Sequence, residues 1–152
     1  MTTATQDQAP TERRVDQLLA HYGESHRHPT NERIHYVAIP VIMLSLVGLI
    51  YALHPLAAYA FIAASMVYYA RLSWVFFLTM LGGSALVLAL VHLMGEQRVA
   101  LCTTLFVVAW IFQFVGHKIE GKKPSFFEDL QYLWVGPLFV LSHLFGKLGI
   151  RW

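Results

Sequence analysis

Charge is almost missing from the middle of this chain: from Tyr36 to Gly116 the only ionised side chains are Arg71, Glu96 and Arg98. A soluble domain carries about a quarter of its residues as Asp, Glu, Lys or Arg. Here the share is 13%, against 57% hydrophobic residues. That balance excludes a water-soluble globule, a disordered chain and a nucleic-acid binder with a broad basic face. It predicts an all-α, polytopic membrane helical bundle forming a single domain over residues 13–152, after a disordered tail at 1–12.

The apolar runs set the expected spans. A crossing needs about 20 apolar residues, or about 30 Å of helix. Four runs, at about 36–53, 56–70, 72–94 and 99–115, are expected to cross, the second being the shortest. His54-Pro55, Arg71 and Gly95-Glu96-Gln97-Arg98 mark the turns. Asn31 is a good N-cap for the first spanning helix, placing its start at Glu32. A polar stretch from Gly116 to Asp129 reads as a loop. The fifth apolar segment, about 130–148, is broken by Gly136-Pro137, Ser142-His143 and Gly146. It either crosses or enters and returns, as irregular backbone can where protein shields it. Upstream, Val15, Leu18, Leu19 and Tyr22 form one helical stripe. That helix lies either on the membrane surface or against the protein's own polar end.

Lys and Arg choose the orientation. With the N-terminus cytoplasmic, Arg13, Arg14, Arg27, Arg33, Arg71, Lys118, Lys122 and Lys123 all face inward, and Arg98 faces out. A re-entrant last segment adds Lys147 and Arg151 to the inner side, the cleaner pattern. This predicts an integral protein of a bacterial inner membrane with a cytoplasmic N-terminus. An even number of crossings then separates His35 from His117, so they share one face with His26 and His28. His54 and His92 fall at the opposite face.

Histidines clustered at one membrane face have two readings. Neutral imidazole is a common ligand for Fe and Zn, and ionisable groups at membrane depth are usually functional. Equally, such residues can be polar interface groups bonded to carbonyls and lipid headgroups. No His-x-Asp or His-x-Glu writes a local facial triad, and no H-E-x-x-H, G-x-S-x-G or P-loop is present. Cys102 is the only cysteine, sits in an apolar run and reads as a buried thiol.

Two segments carry a family likeness. One is His26-Arg27-His28-Pro29-Thr30-Asn31-Glu32-Arg33-Ile34-His35, followed by Ile39-Pro40; the other is Trp110-Ile111-Phe112-Gln113-Phe114-Val115-Gly116-His117, continuing through Glu120-Gly121-Lys122-Lys123-Pro124 to Gly136-Pro137-Leu138-Phe139. Together they resemble the membrane 2-hydroxy fatty acid dioxygenases, over about 22–149. The resemblance implies an Fe(II)-dependent α-oxidation that shortens a 2-hydroxy fatty acid by one carbon with O2. It maps the iron ligands to His26, His35 and His117. His28 and His143 depart from the family pattern, and His143 enters as a fourth metal ligand. The substrate's own hydroxyl and carboxylate would then chelate the iron. His28, Asn31, Gln113 and Glu120 are expected to orient the ligands. Lys118, Lys122 and Lys123 are expected to attract the acid headgroup, with the acyl tail between helices among membrane lipids. The rival readings are a non-enzymatic membrane protein binding metal or lipid, and a Zn-dependent membrane hydrolase.

Overall fold

A computed structural model describes residues 13–121 and 132–152, and every regular element among them is helical. The expected tail at 1–12 and the residues Lys122 and Lys123 lie outside the described residues.

The first helix, α1 (Arg14–Gly23), lies against the protein. Val15 of its apolar stripe is fully buried with Phe76 and Leu138, and Tyr22 packs on Ile39 and Phe139.

Helix α2 (Pro29–Leu53) starts earlier than expected. Its N-cap is His28, whose Nδ1 accepts from the Thr30 amide at 3.2 Å. Pro29 explains the shift: its ring fixes φ near the helical value, and at the first helical position its missing N–H costs nothing. Asn31 is therefore not the cap. It sits inside the first turn, fully buried. The same proline device starts α3 (Pro55–Leu72) after His54. Ser73 then caps α4 (Trp74–Leu93) through its hydroxyl oxygen and the Val75 amide.

After one 3₁₀ turn at Gly95–Gln97, α5 runs Arg98–Glu120. The expected loop at Gly116 is absent: the helix continues through His117 and closes on Gly121, whose φ of 76° a side chain would resist. The last helix, α6 (Val135–Leu148), has 14 residues.

Among the described residues, three helical stretches are long and apolar enough to cross a membrane: Pro29–Leu53, Trp74–Leu93 and Gly95–Glu120. Helix α3, with 18 residues, ends on Arg71-Leu72. At about 1.5 Å per residue, α6 reaches only about 21 Å, short of a full crossing.

Helices α2 and α5 form the central antiparallel pair. Small residues let them approach at both ends. A Cβ on Gly48 would stand 2.3 Å from Cys102 Sγ, and one on Gly116 would stand 2.3 Å from Asn31 Oδ1. Between them Ala38 and Ile42 pack on Ala109 and Trp110. Helix α6 leans on the other side. It begins where the Trp134 indole N–H donates to Ser65 Oγ at 2.8 Å. It ends with Phe145 stacked on Phe76, and beyond it Trp152 packs on Phe76 while its carbonyl accepts from the Arg13 guanidinium. The last described residue thus returns to the start of α1.

Candidate metal centre

His26 stands in the short connection after α1, His35 in the second turn of α2, and His117 near the end of α5. All three are buried. One ring nitrogen from each can be chosen so that the three lie within 4.8 Å of one another. The ring centroids of His26 and His35 are 4.2 Å apart, those of His35 and His117 5.0 Å, and those of His26 and His117 5.3 Å.

Backbone carbonyls orient two of the rings. His26 Nδ1 lies 2.7 Å from the Tyr22 carbonyl oxygen, and His35 Nδ1 lies 2.9 Å from that of Asn31. A carbonyl only accepts, so each Nδ1 carries the proton and each Nε2 carries the lone pair. Locking the tautomer through the far ring nitrogen is the usual support for a metal-bound histidine. The Tyr22 ring stacks on His26 at 4.2 Å and 11°, and Phe139 flanks it at 5.5 Å. These rings shield the imidazole from water. A buried set of three imidazole nitrogens fits a divalent transition metal such as Fe or Zn.

One carboxylate ties the pieces together. Glu120, three residues after His117, accepts from the amides of Arg27 at 3.0 Å and His28 at 2.7 Å. It also accepts from Asn31 Nδ2 at 3.2 Å, and Asn31 Nδ2 in turn donates to the Ser25 carbonyl at 3.3 Å. The segment that carries His26 is thereby pinned to the two helices that carry His35 and His117. Gly116 makes this possible, because any side chain there would strike Asn31.

The remaining expected site residues fall elsewhere. His28 is exposed and engaged as the α2 cap. His143 does not join the three. Its Nδ1 donates to the Phe139 carbonyl at 2.9 Å, and its Nε2 pairs with Glu32 Oε1 at 3.0 Å. Helical geometry explains this: His143, one turn after Phe139 on α6, stands beside Tyr36. Lys118 is exposed on α5. Gln113, one turn before His117, is buried, and its Oε1 meets no hydrogen-bond donor among the described residues.

Sequence reasoning missed Tyr22, Phe139 and Gly116. Tyr22 was legible only as part of an apolar stripe, although its spacing of four residues from His26 permits a carbonyl-to-ring contact. Phe139 and Gly116 fall within the segments that carry the family likeness, but nothing local reveals their roles, since both act through tertiary approach.

A family model described as 2-hydroxy-palmitic acid dioxygenase Mpo1-like matches residues 13–148. The chain is 30% identical over 138 residues to 2-hydroxy-palmitic acid dioxygenase MPO1 of Saccharomyces cerevisiae, covering 86% of this chain and 79% of the yeast protein. No solved structure matches.

Proposed function

The chain belongs to the Mpo1-like family of 2-hydroxy-palmitic acid dioxygenases, and on that premise we propose that it shortens 2-hydroxy fatty acids by one carbon with O2, using Fe(II) held by His26, His35 and His117. The observation that carries this reading is the approach of three buried ring nitrogens, two from the start of the described chain and one from the end of α5, to within 4.8 Å.

Bound there, Fe(II) supplies open coordination positions and redox chemistry for O2 and the hydroxy acid. The rest is the work of the protein's own groups. The Tyr22 and Asn31 carbonyls hold the His26 and His35 rings through Nδ1, which leaves Nε2 as the ligating nitrogen of each. Tyr22 and Phe139 keep water from the His26 ring. Glu120 holds the His26 segment in place. Lys118 adds positive charge where α5 ends, which favours arrival of a carboxylate. The overall reaction balances without added reductant. A 2-hydroxy acid and O2 give the acid one carbon shorter, carbon dioxide and water. The C1–C2 bond breaks, C2 rises to carboxyl level with loss of three electrons, C1 leaves as carbon dioxide with loss of one, and O2 takes up the four.

The same reading sets the topology. Helices α2 to α5 cross the bilayer, α3 included. Helix α6 enters and returns, in keeping with its length and with the contact of Trp152 on Arg13. The distribution of Lys and Arg supports a cytoplasmic position for the histidines, in a bacterial inner membrane on this reading.

The test is O2 uptake by purified protein in nanodiscs with 2-hydroxypalmitate, alongside metal analysis. Wild type is expected to hold about one iron per chain and to form pentadecanoate. His117→Ala is expected to lose both. Turnover that survives in His117→Ala, or an iron-loaded wild type that consumes no O2 with this substrate, overturns the reading.

A further inference from the structure

A cavity of about 280 Å³ lies between α2, α3, α4 and α6. Its wall is largely apolar. The hydroxyls of Ser65, Tyr69 and Thr79 that border it donate to the carbonyls of Phe61, Trp134 and Val75. The donor hydrogens of these three are engaged, Ser84 adds the one further side-chain hydroxyl, and the rest of the wall is almost wholly apolar, so the cavity favours apolar ligands.

Toward the metal centre the cavity ends at Ile39 and Met43. A smaller pocket of about 20 Å³ shares Ile39 and Met43 with it. That pocket is bordered by Tyr22, which stacks on His26, and by Gln113, one turn before His117. Gln113 brings the one polar atom here that asks for a partner: a buried Oε1 facing no donor among the described residues. Met43, unbranched and adaptable, borders both pockets, and a change of its rotamer would join them. A second groove, of about 440 Å³ along Val37 and Phe112, shares no residue with the small pocket.

We propose that the 280 Å³ cavity is the binding site for the acyl tail of a long-chain 2-hydroxy acid whose head lies at the three histidines, with Gln113 Oε1 accepting from the 2-hydroxyl at the threshold. This rests on the functional reading above. The cavity reaches Val47 on α2, and the rise from His35 to Val47 is about 18 Å of helix. That span suits a long tail and leaves an eight-carbon acid far from the end. The α4 wall presents Thr79, Met80, Gly83, Ser84 and Val87, a spacing that forms one helical face. Gly83 faces open space, and its neighbour Gly82 does not border the cavity.

The test is photolabelling of the full-length protein in nanodiscs under nitrogen, using 2-hydroxypalmitate with a diazirine at the tail end. Label is expected near Val47, Gly83 and Val87, displaced by unlabelled 2-hydroxypalmitate but not by 2-hydroxyoctanoate. Gly83→Phe is expected to cut that label at least tenfold, and Ser84→Phe serves where that variant fails to accumulate. Gly82→Phe is expected to keep it. Label spread evenly over lipid-facing residues, label centred on Val37 and Phe112, or equal loss in Gly82→Phe overturns the proposal. Label in the cavity of a protein that turns over no hydroxy acid would sink the functional reading and leave the tail site standing; turnover with label elsewhere would do the reverse.

Discussion

Replacing Gly116 by alanine is expected to destabilise the protein and empty its metal centre, although the same change in an ordinary helix is favourable. The added Cβ would stand 2.3 Å from Asn31 Oδ1, while ordinary contact begins near 3.4 Å. Asn31 must therefore move by roughly 1 Å. It is fully buried, and its Nδ2 bonds of 3.3 Å to Ser25 and 3.2 Å to Glu120 have no slack. Losing a neutral hydrogen bond costs about 1 kcal/mol and one to a carboxylate about 1.5–3 kcal/mol. Alanine returns about 1 kcal/mol of helix propensity. The net loss is about 1.5–3 kcal/mol, within the usual range for overpacking. Thermal unfolding in detergent, read beside iron content, measures it. Gly82→Ala is the control, since nothing lies within 4 Å of a Cβ there; it is expected to be neutral or to stabilise by up to about 1 kcal/mol. A Gly116→Ala protein as stable as wild type, with full metal, refutes the claim that close approach at this glycine assembles the centre.

Two further outcomes follow from the same contacts. Glu120→Gln removes the charge from three hydrogen bonds that pin the His26 segment; metal affinity measured by chelator competition is expected to fall about 10- to 100-fold, and unchanged affinity would show that the clamp does not bear on the metal. His143→Ala removes a partner of Glu32 outside the centre, so iron per chain is expected to equal wild type, and loss of iron would make His143 a ligand after all.

How much of this was legible in the sequence depended on whether the cause was local. Apolar runs announce helices because the bilayer permits little else, and α2 to α5 fall where the runs lie. The meeting of His26, His35 and His117 at one end of the bundle agrees with the expected even number of crossings between His35 and His117, which needs no side-chain detail. Boundaries were harder. Asn31 and His28 both suit a helix start, and Pro29 decided between them by geometry. Gly116 read as a loop breaker because glycine in a sequence does not say whether it bends a helix or lets another approach. His143 looked like a ligand by family position, yet one turn of α6 sets it on Glu32. The pinning role of Glu120 requires Arg27 and His28 to be folded against it, a relation across about 90 residues that no local pattern encodes.

The most direct measurement is X-ray absorption at the iron edge of the purified, iron-loaded protein. Scattering from three imidazole rings, with nitrogens about 2.0–2.2 Å from the metal, is the expected spectrum, falling to two rings in any single variant of His26, His35 or His117 that retains iron. A spectrum without imidazole scattering, or one unaltered by those substitutions, contradicts a shared three-histidine centre.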